Sequence, residues 1–213
     1  MARAVLGARF FPIFGSWYRA VFVDLEKVVD SLPPLNPQTR VLDIGGGDGE
    51  MINILLARHP DLDITMIDRN PRLGLFLTPE SRKRVRLMPS TSLRDYAATQ
   101  HEAPDLVMVS DVIHHVPVDS RAAFFADLRL VVADRPTTLV VKDVEPGSFR
   151  SHLSLWADRY ISGDRQVRLI GRDELTALVK QAFPAARVRS TKLFDVDRPN
   201  YSLIFALNAG SAA

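Results

Sequence analysis

Thr39-Arg-Val-Leu-Asp43-Ile-Gly45-Gly-Gly47-Asp-Gly49-Glu50 is the stretch on which the reading of the whole chain turns. Val41, Leu42 and Ile44 are strand formers. Four glycines follow within five residues. Met51, Ile52, Ile54, Leu55 and Leu56 then recur at helical spacing. The order is strand, glycine turn, helix. Glycine is needed in such a turn because a side chain would resist positive φ and hold a ligand off the backbone. The turn delivers a ligand to the first N–H groups of a helix, in a crevice outside the strand ends.

The spacing narrows the choice. A dinucleotide fingerprint is GxGxxG. Here the pattern is DxGxGxG, from Asp43 to Gly49, with Glu50 where a third fingerprint glycine is expected. In this form the stretch resembles the first motif of the class I S-adenosylmethionine-dependent methyltransferases. A second match comes downstream. Asp111-Val-Ile-His114-His115-Val-Pro117 follows an apolar strand run, Leu106 to Val109, and is similar to a hydrophobic-His-His-hydrophobic-Pro segment of small-molecule methyltransferases.

Working outward, further strands are expected at 62–68, 85–88, 104–111 and 138–143. A C-terminal pair is expected at 186–193 and 201–207, and helices separate the first five strands. The near-continuous apolar run of the fourth strand suits a parallel strand buried on both faces. The fold expected is α/β: a doubly wound, Rossmann-like sheet of about seven strands, mostly parallel, with helices on both faces. The resemblance adds that the last strand is inserted antiparallel. Residues 39–208 form the domain. Residues 1–38 read as an N-terminal helical lid, with Phe10, Phe14, Trp17, Val21 and Leu25 on one helical face. That face suits an apolar acceptor, packing on the sheet, or peripheral membrane contact through residues 3–22 beside Arg3, Arg9 and Arg19. Residues 148–170, with Phe149, His152 and Trp156, are expected to close in a substrate.

The resemblance implies the cofactor S-adenosyl-L-methionine, with S-adenosyl-L-homocysteine as product. It places cofactor contacts at Asp43, Gly45, Gly47 and Gly49, at Asp68 and its neighbour Arg69, and at Ser110 and Asp111. Asp68 ends the second strand, where a carboxylate accepts hydrogen bonds from a ribose diol; the competing role is a turn residue before Asn70-Pro71. After the third strand the family usually carries an Asp near the adenine. This chain has Pro89-Ser90-Thr91-Ser92 instead, so Ser90 and Ser92 are the candidates there. An oxygen nucleophile needs a base, and imidazole titrates in the useful range. His115, His114 and His152 are the candidates, and adjacent histidines do not readily point into one pocket. Asp111, Lys142 and Asp143 are expected at strand ends facing the pocket; Asp111 and Asp143 are the pair that a Mg²⁺-dependent methyltransferase would use, but too few oxygen ligands accompany them, and no metal is expected.

Composition sets outer limits. The 213 residues carry 27 Lys and Arg against 25 Asp and Glu, too even a balance to argue for nucleic acid. Arg82-Lys83-Arg84-Val85-Arg86 is a local exception and reads as a solvated surface. Absence of cysteine excludes disulfides and thiolate chemistry and fits a cytoplasmic protein. No apolar run is long enough for a membrane span. The function expected is methyl transfer to a small, hydrophobic or lipid-like acceptor, most simply at oxygen, by a monomer or homodimer. The alternatives are an inactive cofactor-binding partner protein and an RNA methyltransferase; a nucleotide-dependent oxidoreductase is opposed by the missing glycine.

Overall fold

Alternation along the strands divides the core of the molecule into two layers. The structure is a computed structural model that describes residues 25–99, 102–146, 167–194 and 200–208. In β1 (Arg40–Ile44), Leu42 and Ile44 face one layer and Val41 the other. β4 (Leu106–Ser110) and β5 (Thr137–Val144) alternate in the same way. Successive side chains of a strand point to opposite faces, so an unbroken apolar run must be covered on both.

One layer is covered by α1 (Leu25–Asp30) and α2 (Glu50–Arg58), through Val28, Val29, Ile52 and Leu55. The short α3 (Pro79–Arg82) follows β2 (Asp63–Asp68). The opposite layer is covered by α4 (Leu93–Ala97), α5 (Arg121–Val132) and α6 (Arg172–Ala182), through Tyr96, Phe125, Leu128, Leu175 and Val179.

The strand order is β3-β2-β1-β4-β5-β7-β6, with β3 at Val85–Pro89, β6 at Arg187–Leu193 and β7 at Asn200–Leu207. β1 to β5 pair in parallel. β7 is antiparallel to both of its neighbours, so it is the one reversed strand of the seven. The expected α/β sheet is therefore present, including the reversed insertion. β6 is an edge strand with nearly every residue exposed. Its Arg187, Arg189 and Lys192, and the register shift between Val188 and Ser190, discourage pairing with another edge.

The boundaries differ in small ways from the sequence reading. β3 extends to Pro89 and β5 to Val144. α5 starts only at Arg121, because Val118–Ser120 forms a 3₁₀ turn after Pro117. Among the described residues no helix is long and apolar enough to cross a membrane. Residues 1–24 of the expected lid, which include the membrane-facing segment 3–22, lie outside the described residues, as do His152 and most of 148–170.

The order β2-β1-β4 positions the site. β1 passes between its two parallel neighbours, and the chain returns to opposite faces of the sheet on either side of it. A crevice opens at the carboxyl ends of these strands.

Candidate functional site

The crevice has a volume of about 690 Å³ and is walled by residues at the ends of three strands: Ile44 and Gly45 of β1, Ile67 to Asn70 of β2, and Asp111 and Val112 after β4. Thr91 to Arg94 form its far side, and His115 to Pro117 with Phe124 its near side. Of the residues expected at the site, Gly45, Asp68, Arg69, Ser92, Asp111 and His115 line it directly.

The glycine turn is shaped as its spacing implies. Gly45 sits at φ 70° and Gly47 at φ 55°. A methyl group on Gly45 would stand 2.4 Å from Val112 Cγ2, so this glycine permits close packing of the turn on the β4 loop. A methyl group on Gly47 would find nothing nearer than the Gly45 carbonyl oxygen at 3.8 Å. That side of Gly47 is an open cradle, the form a backbone takes where a ligand must approach it. Gly49, at φ 86°, is the N-cap of α2 and packs against Leu77.

Asp68 faces this cradle. Its Oδ2 accepts the Gly47 N–H at 3.1 Å and its Oδ1 accepts the Asn70 N–H at 2.7 Å. Each carboxylate oxygen retains a further lone pair for a hydroxyl donor. The ribose role and the turn role, set against each other from the sequence, are thus geometrically compatible in one side chain. Asp43, beneath the turn, is buried, with Gly46 packed so closely that a methyl there would meet Asp43 Oδ2 at 2.6 Å. Burial, then the charges of Asp68 and Asp48, push its carboxyl up to about 7.

The serines after β3 are differently placed. Ser92 is the N-cap of α4: its hydroxyl oxygen accepts the Asp95 N–H, and Asp95 in return accepts from the Ser92 N–H and hydroxyl. This capping box occupies the hydroxyl. Ser90 lies at φ 55° with its N–H toward the Asn70 carbonyl and is not among the crevice walls. Thr91 does line the crevice, and the sequence reading passed over it.

Beyond β4 two charge pairs form on opposite faces of the sheet. On the α1/α2 side, the Lys142 ammonium, almost wholly buried, donates to both oxygens of Asp111 at 2.6 and 2.7 Å. On the other side, Asp143 is fully buried and its Oδ1 accepts from His114 Nδ1 at 2.6 Å and from the Val144 N–H at 2.7 Å. Burial alone would raise the Asp143 carboxyl; the charge and hydrogen bond of His114, the Val144 N–H and Lys142 outweigh it, and the net direction is down. Sequence reasoning had Asp111, Lys142 and Asp143 all facing the pocket. Only Asp111 does so. His114 is buried in the dyad, while its neighbour His115 is exposed at the crevice wall, ring centroids 4.2 Å apart.

The donor atoms of Asp111, His114 and Asp143 lie within 4.8 Å of one another. A cation there would have to displace the Lys142 ammonium from Asp111 and the imidazole from Asp143, so these residues are already committed to each other.

Arg121 is a buried residue that sequence reasoning missed. It donates to the Val116 carbonyl at 3.3 Å, to Glu174 Oε1 at 2.8 Å and to the Arg168 carbonyl. The Arg168 N–H in turn donates to the His114 carbonyl at 3.0 Å. The turn carrying the two histidines is thereby tied to α6 and to the segment before it.

Residues 17–182, well over half of the chain, match the model of a family described as a methyltransferase domain. The chain belongs to that family. An O-methyltransferase, SfmM3 of Streptomyces lavendulae, is 22% identical over 123 residues, which are 58% of this chain and 36% of that enzyme. An O-methyltransferase family 2 protein from Planctomyces limnophilus, solved in complex with apigenin, superposes with a TM-score of 0.70 at 16% identity, covering 94% of this chain and 61% of that one. LepI, solved in complex with SAM, superposes with a TM-score of 0.61 at 14% identity, covering 88% of this chain and 48% of that one. The chain therefore spans about a third to three fifths of the length of these relatives. At such identities the structural likeness is one of fold.

Proposed function

We propose that this methyltransferase domain binds S-adenosylmethionine across the glycine turn and transfers its methyl group to an oxygen of a small, hydrophobic acceptor. The observation that carries the reading is the open cradle at Gly47, whose N–H is held by the Asp68 carboxylate at the crevice wall. An exposed backbone at positive φ and a carboxylate at the end of the adjacent strand are what an adenosyl ligand with a free ribose diol requires. S-adenosylmethionine, when bound, supplies an electrophilic methyl group on a sulfonium.

The work left to the chain is approximation and exclusion of water, and alignment alone contributes roughly 7–11 kcal/mol to such transfers. Gly45 lets the turn pack on the β4 loop, Gly47 lets the ligand reach the backbone, Asp68 accepts the ribose hydroxyls, and Thr91 and the α4 N-terminus receive the adenine edge. His115, exposed at the crevice wall, is the histidine of the described residues placed to take an acceptor proton. His114 is held by Asp143 and shapes the turn. Transfer to oxygen and a hydroxylated acceptor take their support from the O-methyltransferase relatives and from the apigenin held by one of them.

Calorimetric titration with S-adenosylhomocysteine, with NAD⁺ as control, tests the cofactor assignment. The parent is expected to bind the homocysteine analogue and not NAD⁺. Asp68→Ala is expected to weaken binding by roughly 10- to 100-fold, the loss of one or two hydrogen bonds to a charged acceptor. Binding of NAD⁺ alone, or an Asp68→Ala affinity equal to the parent's, overturns the assignment. Screening of hydroxylated aromatics, apigenin first, then addresses the acceptor.

A further inference from the structure

Asp111 is the charged residue of the crevice whose geometry the fold goes furthest to secure. It ends β4 in the left-handed backbone region, at φ 56°, a conformation that an L-residue adopts only where its surroundings hold it. Residue 142 does the holding twice. The Asp111 N–H donates to the Lys142 carbonyl at 3.0 Å, and the Lys142 ammonium takes both carboxylate oxygens. Lys142 shares its face of the sheet with Val140 and Val144 and stands opposite Ser202 in register, so the packing around it is otherwise that of a core strand. A lysine is rarely buried in such a place unless paired.

The pair is oriented. The Lys142 side chain is 1% exposed and that of Asp111 is 39% exposed. The ammonium lies behind and the carboxylate in front, so the pair turns its negative end to the crevice. Asp68 adds a second carboxylate at the end of β2, while the cations of the crevice wall, Arg69 and Arg94, follow β2 and β3 rather than β4. In the order β2-β1-β4, Asp68 and Asp111 flank the glycine turn on its two sides. A ligand anchored by its ribose at Asp68 and lying across that turn extends toward Asp111.

We infer that Asp111 reads the charge on the cofactor's sulfur, favouring the sulfonium of S-adenosylmethionine over the neutral thioether of S-adenosylhomocysteine, and that Lys142 is the positioning residue that aims it. The inference rests on the cofactor assignment proposed above. It gives the domain a means of holding its substrate form and releasing its product form: transfer of the methyl removes the positive charge that Asp111 attracts. At the close range of a crevice wall the nearer, negative end of the pair is felt more strongly than in bulk water, because screening is weaker there.

The test is a set of calorimetric titrations with three ligands: S-adenosylmethionine, S-adenosylhomocysteine, and sinefungin, which carries an ammonium in place of the sulfonium. Asp111→Asn is expected to weaken the two charged ligands by about tenfold and the neutral one by less than about twofold. Because Asp111→Asn leaves the buried ammonium of Lys142 without its carboxylate, the double variant Asp111→Asn/Lys142→Met is titrated alongside it. The double variant is expected to show the same selective loss, since Lys142 acts only through Asp111. Equal weakening of all three ligands in both variants, or no change in any, overturns the inference. A parent protein that binds none of the three overturns the cofactor assignment instead.

Discussion

Asp43→Asn is expected to flatten the pH dependence of stability between about pH 4 and pH 7 and to leave the variant the more stable protein at pH 8. The folded carboxyl is pushed from 3.8 up to about 7, first by burial and then by Asp68 and Asp48. A raised carboxyl binds its proton in the folded state where the unfolded chain has released it. Stability therefore falls as pH rises from about 4, and the loss is complete above about 7. The difference between 3.8 and about 7 corresponds to roughly 4 kcal/mol of charge-burial cost at alkaline pH. Asn carries no charge at any pH and lacks this slope. Urea unfolding of both proteins at pH 5 and pH 8 measures it. Parallel curves for parent and variant would show that Asp43 ionises in the folded protein without cost.

The same residue links stability to binding. A cationic ligand in the crevice offsets the repulsion among Asp43, Asp68 and Asp48, and so draws the Asp43 carboxyl back down. Binding near pH 6.5 is then expected to release a proton. Titration with S-adenosylmethionine in two buffers of different ionisation enthalpy detects that release, and Asp43→Asn removes it. On the proposed cofactor assignment, destabilisation of the crevice by its own charges is coupled to the positive charge of the ligand.

How much of this was legible in the chain depends on the range of the interaction. The strand-turn-helix around residues 40–58 is written in a local pattern, and so are the alternating layers of the core. Ser92 and Asp95 also spell a local signal, a capping residue with an acid three places on. The sequence reading offered Ser92 to the adenine, as a substitute for the family's missing Asp, and did not see the cap; Ser92 is the cap and also lines the crevice. Lys142 and Asp143 were both sent to the pocket because they end a strand. The pleat decides otherwise: neighbours on a strand point to opposite faces, so one meets Asp111 and the other His114. The same constraint was applied correctly to His114 and His115, where two adjacent residues were expected to diverge. Arg121 was beyond reach of any local rule. Its partners Arg168 and Glu174 are 47 and 53 residues away, and nothing in the run Ser120-Arg-Ala-Ala marks an arginine for burial.

Asp143→Ala is expected to be among the most damaging substitutions in the domain, by about 3–5 kcal/mol, the cost of removing one partner from a buried ion pair. Three donors converge on this carboxylate: the His114 ring, the Val144 N–H and, at 3.3 Å, the His114 N–H. Alanine takes the acceptor from all three at a fully buried position. For a domain of this size the melting temperature should drop by roughly 10 °C or more. The sign of the pH effect is opposite to that of Asp43. The Asp143 carboxyl is held below its ordinary value, so its contribution is present above about pH 4 and is lost as pH falls toward its folded pKa. The deficit of Asp143→Ala relative to the parent should accordingly narrow in acid. His114→Ala breaks the same contact from the other side and strands a buried carboxylate, which protonation can relieve. The double variant should then cost less than the sum of the two single ones, the mark of a direct pair. Chemical unfolding of the four proteins at pH 7 and pH 4 measures both terms. Additive losses, or a loss below about 1 kcal/mol for Asp143→Ala, would show that the dyad does not organise the turn, and His115 would then owe its place at the crevice to Arg121 alone.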